Sequence, residues 1–129
     1  MKSVKKLIPI ILSALLFSAC APSGANGGYR RISMAEAIRI MEKEKDYIIL
    51  DVRRADEYAE GHIPGAINLP NEDIGVAEIP ELPNKSQLIL VYCRSGRRSK
   101  EAAEKLVKLG YTNIVEFGGI LDWKGEIER

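Results

Sequence analysis

The stretch LILVYCRSGRRSKEAAEKLV, residues 88–107, changes from a strand pattern to a helix pattern around a cysteine. Its first five residues, Leu88 to Tyr92, form a continuous apolar run, which predicts a strand buried on both faces. From Arg97 to Leu109 apolar residues recur at helical spacing, and Gly110 is a natural end for that helix. Cys93 stands directly after the predicted strand. The stretch therefore predicts a strand, a short polar loop and a helix.

The same alternation of strand and helix patterns continues on both sides of this stretch. Ser33 and Glu36 form a capping box that begins a helix running to about Lys45. Further strands are predicted over Tyr47–Leu50, Ala66–Leu69 and Asn113–Phe117, and further short helices over Ala55–Glu60 and around Trp123. Alternating elements with short links predict an α/β domain whose buried strands are mostly parallel. Ligands bind at the carboxyl ends of such strands, where Asp51-Val52-Arg53 and Cys93 stand.

The loop after Cys93 has the composition of a site that activates a thiol. Backbone N–H groups and the start of the following helix bring partial positive charge toward the sulfur, and Gly96 lets the loop turn tightly. Arg94, Arg97 and Arg98 add full charges, so the loop favours the thiolate, which is the nucleophile. A lone cysteine is more often a buried structural residue. Its position beyond the strand, in a polar loop, favours the reactive interpretation.

The first 19 residues have the order of a secretory signal peptide: three lysines, an apolar run, then small residues. The segment ends in Phe17-Ser18-Ala19-Cys20, which resembles the lipobox of bacterial lipoproteins but has Phe17 where leucine is usual. That resemblance implies that Cys20 is acylated, holding the protein at an extracytoplasmic membrane surface. Ordinary cleavage, leaving Cys20 as a free thiol on a secreted or periplasmic protein, is the alternative.

The remaining chain divides into a tether and one domain. Residues 20–28 are rich in Gly, Pro, Ser and Asn without periodicity, which predicts a short flexible tether. Residues 29–129 are enough for a single hydrophobic core. Cys93 is the only cysteine of this domain, so no internal disulfide is predicted.

The net charge of the chain argues against nucleic acid as a partner, and the spacing of its possible metal ligands argues against a metal ion. The net charge is +1, and loss of the three signal-peptide lysines would leave −2, so no basic field for nucleic acid is predicted. The arginines cluster locally instead, which favours a small anion. His62 is the only histidine, and no second cysteine or histidine stands at ligand spacing. We therefore predict no metal site.

Three motifs resemble signatures of the rhodanese family. They are LDVR at 50–53 with EY at 57–58 and GHIPGAIN at 61–68; VYCRSGRRS at 91–99; and GY at 110–111 with GG at 118–119 and Trp123. Together they cover the chain from about Arg31 to Glu126, in the family's order. The resemblance implies a central, mostly parallel five-stranded sheet with helices on both faces. In this family His62 would belong to a structural turn.

The resemblance also implies a sulfurtransferase that needs no metal or organic cofactor. Cys93 would attack the outer sulfur of thiosulfate, release sulfite and keep a persulfide, which cyanide or a thiol, including a protein thiol, then discharges. The loop from Cys93 to Arg98 has the six-residue length of the sulfurtransferases, whereas the related phosphatases and arsenate reductases have one residue more. The residues expected to cradle the sulfur and the anionic donor are Arg94, Ser95, Gly96, Arg97, Arg98 and Ser99.

Within that loop, Arg94 and Arg98 are the residues expected to hold the donor, followed by Arg97. Asp51 is expected to support the site by pairing with Arg53 or with a loop arginine. A second hypothesis keeps the Cys93 persulfide or a mixed disulfide but assigns it to a partner module of an extracytoplasmic complex, with little thiosulfate turnover. A non-catalytic interaction domain is disfavoured, because inactive members of the family typically lack the cysteine.

Overall fold

The computed structural model describes residues 25–26, 28–75 and 77–129. The expected signal peptide and Cys20 lie outside the described residues, as does most of the expected tether. The strands are β1 (Ala25–Asn26), β2 (Tyr29–Arg31), β3 (Tyr47–Asp51), β4 (Ile67–Asn68), β5 (Leu88–Cys93) and β6 (Ile114–Gly119). The α-helices are α1 (Met34–Lys43), α2 (Ala55–Glu60) and α3 (Arg97–Lys108), and single 3-10 turns lie at Asn71–Asp73 and Ile120–Asp122.

The strands form one sheet in the order β1-β2-β6-β5-β3-β4. Strands β2, β6, β5, β3 and β4 are parallel, and β1 pairs antiparallel with β2. This confirms the α/β class and the five parallel strands. Strands β1 and β2 were not predicted, and β1 lies inside the segment expected to be a tether. Both are too short to give a strand pattern on their own.

Each face of the sheet carries its own hydrophobic core. On one face α3 packs Ala102 and Leu106 against Leu50 and Val91. On the other face α1 and α2 cover the neighbouring strand residues, among them Leu90. Successive strand side chains point to opposite faces, so a continuous apolar run can bury both faces of the sheet at once. The predicted arrangement of helices on both faces is confirmed.

The first helix begins where the capping box predicts. The Ser33 hydroxyl accepts a hydrogen bond from the Glu36 N–H at 3.1 Å, and the Glu36 carboxylate lies 3.3 Å from the same hydroxyl. The helix ends at Lys43, and Glu44 is extended. The expected end at about Lys45 was two residues too late.

Other element boundaries also differ from the sequence predictions. Strand β4 covers only Ile67–Asn68, and the expected last helix is a 3-10 turn that stops at Asp122, so Trp123 follows it rather than lying within it. Trp123 packs partly against the core on the α1 side. Across the described part of the chain, no helix is long and apolar enough to span a bilayer.

Candidate active site

Cys93 is the last residue of β5 and only 1% exposed. The expectation of a thiol beyond the strand, in a polar loop, was therefore wrong. The register between β5 and β6 shifts between Val91 and Cys93, so that Cys93 pairs with Gly119 and stays in the sheet. The polar loop begins one residue later, at Arg94.

The start of α3 directs a backbone N–H at the sulfur. Gly96 donates its N–H to Cys93 Sγ at 3.0 Å, and the Ser99 hydroxyl lies 3.4 Å from the same sulfur. Gly96 is the N-cap of α3 and has φ 116°, a left-handed conformation that favours glycine. A partial positive charge at a helix start stabilises an anion placed there. The position of the thiol therefore suits a thiolate or a persulfide anion.

A glycine on β6 supports the loop from the other side. A Cβ at Gly119 would collide with the carbonyl group of Arg94, so no other residue leaves space for the loop backbone. Just beyond, the Leu121 N–H donates to the Arg94 carbonyl at 3.3 Å. The second glycine of the C-terminal motif is thus a packing requirement of the loop after Cys93.

The three loop arginines have different environments. Arg94 is exposed, and the 76% exposed side chain of Arg97 pairs with Glu101 at 3.1 Å. Arg98 is only 19% exposed and donates to both carboxylate oxygens of Glu57, at 2.6 and 3.1 Å. The hydrogen bond from Arg98 lowers the pKa of Glu57 to about 2, so this carboxylate stays ionised. Arg98, expected to hold the donor, already has an anionic partner.

A polar pocket of about 580 Å³ opens beside the loop. It is lined by Arg54, Glu57, Glu72, Arg94, Ser95, Arg97 and Arg98. Four arginines face two glutamates there, and one of those carboxylates is already bound to Arg98. Arg54 and Arg97 are also paired, with the exposed carboxylates of Asp56 and Glu101. A small anion could bind here by competing with these exposed, solvent-screened carboxylates for the arginines.

The family model for the rhodanese-like domain matches residues 33–126. The chain belongs to the rhodanese-like domain family. This match spans the strand, loop and helix around Cys93 as well as the segments that carry Asp51 and Gly119.

Curated relatives and solved structures agree with this family assignment. The thiosulfate sulfurtransferase PspE of Escherichia coli is 37% identical over 73 residues, which cover 57% of this chain and 70% of PspE. The thiosulfate sulfurtransferase GlpE of Coxiella burnetii is 36% identical over 97 residues, or 74% of this chain and 88% of GlpE. The structure of a rhodanese with anions from E. coli superposes with a TM-score of 0.59 at 32% identity. The superposition covers 64% of this chain and 98% of that one. These likenesses support sulfurtransferase activity at the level of the family.

In this rhodanese domain Asp51 pairs with Arg53 and not with a loop arginine. Asp51 Oδ2 accepts from Arg53 Nη2 and from the Tyr92 hydroxyl, both at 2.7 Å, and Oδ1 accepts from Arg53 Nε at 3.0 Å. Burial disfavours the guanidinium charge, but the hydrogen bonds and charge of Asp51 outweigh it and raise the pKa of Arg53. Burial and Asp51 also raise the pKa of Tyr92. Tyr92 and Cys93 pack into the cores on opposite faces of the sheet, so the network contacts β5 on the face away from the thiol and supports the end of the strand.

A buried carboxylate beneath the thiol was missed by the sequence analysis. Glu116 is 1% exposed, and its Oε1 accepts from the Ser99 hydroxyl at 2.7 Å and from the Gly118 N–H at 2.9 Å. Its Oε2 lies 3.3 Å from Nε of Arg31. A glutamate inside the apolar run 114–117 was the signal that could have identified it, because such residues are almost never fully buried without a partner.

His62 takes part in packing at the turn where the family resemblance places it. Its ring stacks on Tyr58 with centroids 3.7 Å apart, and Nδ1 lies 2.9 Å from the Tyr58 carbonyl. Its backbone pairs with Glu128 near the C-terminus. Within residues 25–26, 28–75 and 77–129, no three His, Cys, Asp or Glu side chains lie together as a metal site would need.

Proposed function

We propose that this protein transfers sulfane sulfur from thiosulfate, or a similar anionic donor, to a thiophilic acceptor through a persulfide on Cys93. The observation that supports this most directly is the Gly96 N–H, which points at Cys93 Sγ from the start of α3. The arginine-lined pocket beside the same loop offers a place for the anionic donor. The donor and the reactive sulfur would therefore share one short segment of chain.

The chemistry has two displacement steps. The Cys93 thiolate attacks the outer sulfur of thiosulfate, the S–S bond of the donor breaks, and sulfite leaves with the electron pair. The retained persulfide is an anion that the Gly96 N–H and the helix start stabilise. Cyanide or a thiolate then takes the outer sulfur, and the thiolate of Cys93 returns. Of the arginines expected to hold the donor, Arg94 is exposed, whereas Arg98 would have to exchange Glu57 for the donor and Arg97 would have to exchange Glu101.

A second candidate function is a persulfide-carrying or redox partner module. It is favoured by two observations: Cys93 is 1% exposed, and Arg98 is bound to Glu57. A small donor therefore meets neither an open thiol nor a free Arg98. A docking protein could supply the binding energy that opens this arrangement, and thiosulfate turnover would then be slow.

Incubation with thiosulfate followed by intact-mass measurement separates the two functions. We expect the full chain to gain the mass of one sulfur atom and to lose it again when cyanide is added. No gain, in a protein whose Cys93 still reacts with a small alkylating agent, would reject thiosulfate as the donor and leave the partner module. Trapping of a protein thiol on Cys93 would then be the next measurement.

We further propose that the protein is attached to an extracytoplasmic membrane surface by lipid on Cys20. The lipobox-like sequence Phe17-Ser18-Ala19-Cys20 supports this, and acyl chains stabilise membrane attachment by roughly 0.8 kcal/mol per buried methylene. The mass of the mature protein from bacterial membranes tests it. An acylated N-terminal Cys20 is expected, and a soluble mature chain with a free Cys20 thiol would reject the proposal.

A further inference from the structure

We propose that Ser99 and Glu116 form a proton relay that takes the proton of the Cys93 thiol when the thiolate forms. The inference rests on the proposed function only in that the thiolate is the form that accepts sulfur. Glu116 does not touch the reacting sulfur. It acts through Ser99 and is therefore a positioning residue, whereas Ser99 contacts the sulfur directly.

The three groups lie in a continuous hydrogen-bonded line away from solvent. Cys93 Sγ lies 3.4 Å from Ser99 Oγ, and Ser99 Oγ lies 2.7 Å from Glu116 Oε1. Cys93 and Glu116 are 1% exposed and Ser99 is fully buried. Ser99 is in the first turn of α3, while Cys93 and Glu116 are on adjacent strands of the face that α3 covers. Fold elements, and not loops, therefore hold all three groups.

The direction of the hydrogen bonds in this cluster follows from the number of protons that are available to donate. Ser99 Oγ faces three oxygen acceptors, Glu116 Oε1 at 2.7 Å and the carbonyls of Gly96 at 2.9 Å and Gly118 at 3.3 Å, but a hydroxyl has one proton to donate. The carboxylate is the closest acceptor and the charged one, so it binds that proton most strongly. The lone pairs of Ser99 Oγ then remain to accept the S–H of Cys93.

The proposed step conserves protons and charge. The S–H bond of Cys93 breaks and its proton moves to Ser99 Oγ, while the Ser99 hydroxyl proton moves to Glu116 Oε1. The products are a thiolate, an intact serine and a neutral carboxylic acid. After thiolate attack, sulfite leaves with its electron pair and the persulfide is an anion. When the acceptor has removed the sulfur, Glu116 returns the proton by the same route.

Both carboxylate oxygens of Glu116 have partners: the Ser99 hydroxyl and the Gly118 N–H donate to Oε1, and Arg31 Nε donates to Oε2. A buried carboxylate is costly unless it is fully paired. Its charged partner is the 48% exposed Arg31 on β2, at 3.3 Å. Glu116 also lines a pocket of about 390 Å³, together with Lys100 on α3 and Asp122 after β6. Arg98 also lies within electrostatic reach of the site: its pKa is raised mainly by the hydrogen bond to Glu57, with a smaller contribution from the charge of Cys93.

The test is a titration of the Cys93 thiolate by its ultraviolet absorbance, with Cys93→Ser subtracted in each background. For the wild-type chain we expect thiolate to form in two steps as the pH rises, because a proton shared between two coupled groups leaves in two macroscopic stages. Glu116→Gln should give a single step. Ser99→Ala keeps every charge and removes one oxygen atom, and in this variant most of the absorbance change of the lower-pH step should disappear. Glu104→Gln, on the exposed side of α3, is the matched control and should titrate like the wild type.

Sulfur loading from thiosulfate gives a second readout. Loss of a general base typically costs on the order of 10²-fold in rate, and we expect about that loss at neutral pH for Glu116→Gln and for Ser99→Ala. The double variant should be no slower than either single variant, because the residues act as one unit. The absorbance titration needs no sulfur donor, so it tests the relay even if thiosulfate proves to be the wrong donor.

Two results would overturn the relay. One is a single titration step in the wild type, together with thiolate formation at lower pH in Glu116→Gln. That result is expected if the Glu116 carboxylate only repels the thiolate. The other is a two-step wild-type curve that Ser99→Ala leaves unchanged. If Glu116→Gln does not fold, as judged by circular dichroism, the Ser99→Ala curve decides alone.

Discussion

Replacement of Cys93 by serine is expected to lower thiosulfate–cyanide turnover by roughly 10⁶-fold, the order of loss seen when a covalent nucleophile is removed from an enzyme. A serine hydroxyl fits the space beside the Gly96 N–H but stays protonated and cannot store sulfane sulfur as a persulfide. The loop arginines remain and only the negative charge of the thiolate is lost, so binding of the anionic donor should not weaken. Thiocyanate formation measures turnover, and sulfite release in the absence of cyanide measures the first half-reaction.

The matched control for this variant is Cys20→Ser, which removes the other cysteine of the chain. It should keep full turnover in detergent, whatever it does to membrane attachment. Turnover by Cys93→Ser at a rate near that of the wild type would mean that the sulfur is carried elsewhere, and the proposed function of this loop would fail. Loss of turnover in both variants would point to a disulfide or persulfide exchange between the two cysteines.

The layered architecture was predictable from the sequence because the strands that build it are buried on both faces. Residues 47–50 and 88–92 are apolar throughout, and such runs are typical of central parallel strands. The helices α1 and α3 have clear starts and periodic apolar faces. Strands β1 and β2 were missed because two or three residues carry no periodicity. Their pairing depends on distant contacts, since β2 pairs with β6 and β1 then pairs with β2.

The site was predictable where it depends on local sequence and unpredictable where it depends on distant contacts. The residue types around Cys93 and the glycine of the loop are local features, and they identified the segment. The partner of Arg98 is Glu57, which is 41 residues away in sequence. The burial of Cys93 depends on its pairing with Gly119 across a register shift. No pattern within a short window specifies either contact.

The contrast between local sequence and distant contacts also explains why Glu116 was not predicted to belong to the site. Its charge within an apolar strand is visible in the sequence, but the sequence does not say that Ser99 lies 2.7 Å away. Residues that precede or follow Cys93 directly were easy to assign to the site, whereas Glu116 reaches it from the neighbouring strand. A charged residue within an otherwise buried strand therefore justifies a search for a polar partner on the helix that covers it.

Asp51→Asn is expected to lower the free energy of unfolding by about 3–5 kcal/mol, the usual cost of breaking a buried ion pair by removing one partner. The Arg53 side chain is 7% exposed and would keep its charge without a counter-ion. Both oxygens of Asp51 accept hydrogen bonds from Arg53, and Oδ2 also accepts from the Tyr92 hydroxyl. An asparagine amide must turn its NH₂ group toward one set of these donors in either orientation. Urea denaturation, with the slope m compared between variants, measures the loss.

The chain supplies a matched control that begins at the residue directly after Arg53. Arg54 and Asp56 form a pair with the same residue types and the same spacing, with Nε and Oδ1 3.0 Å apart, but both side chains are exposed. Solvent screens such pairs, so Asp56→Asn should cause no resolvable change in stability. Equal losses in the two variants would mean that burial does not set the value of the Asp51–Arg53 pair. A large loss for Asp51→Asn alone, with thiolate titration unchanged, would show that Asp51 holds the end of β5 in place and leaves the chemistry of Cys93 to the other face of the sheet.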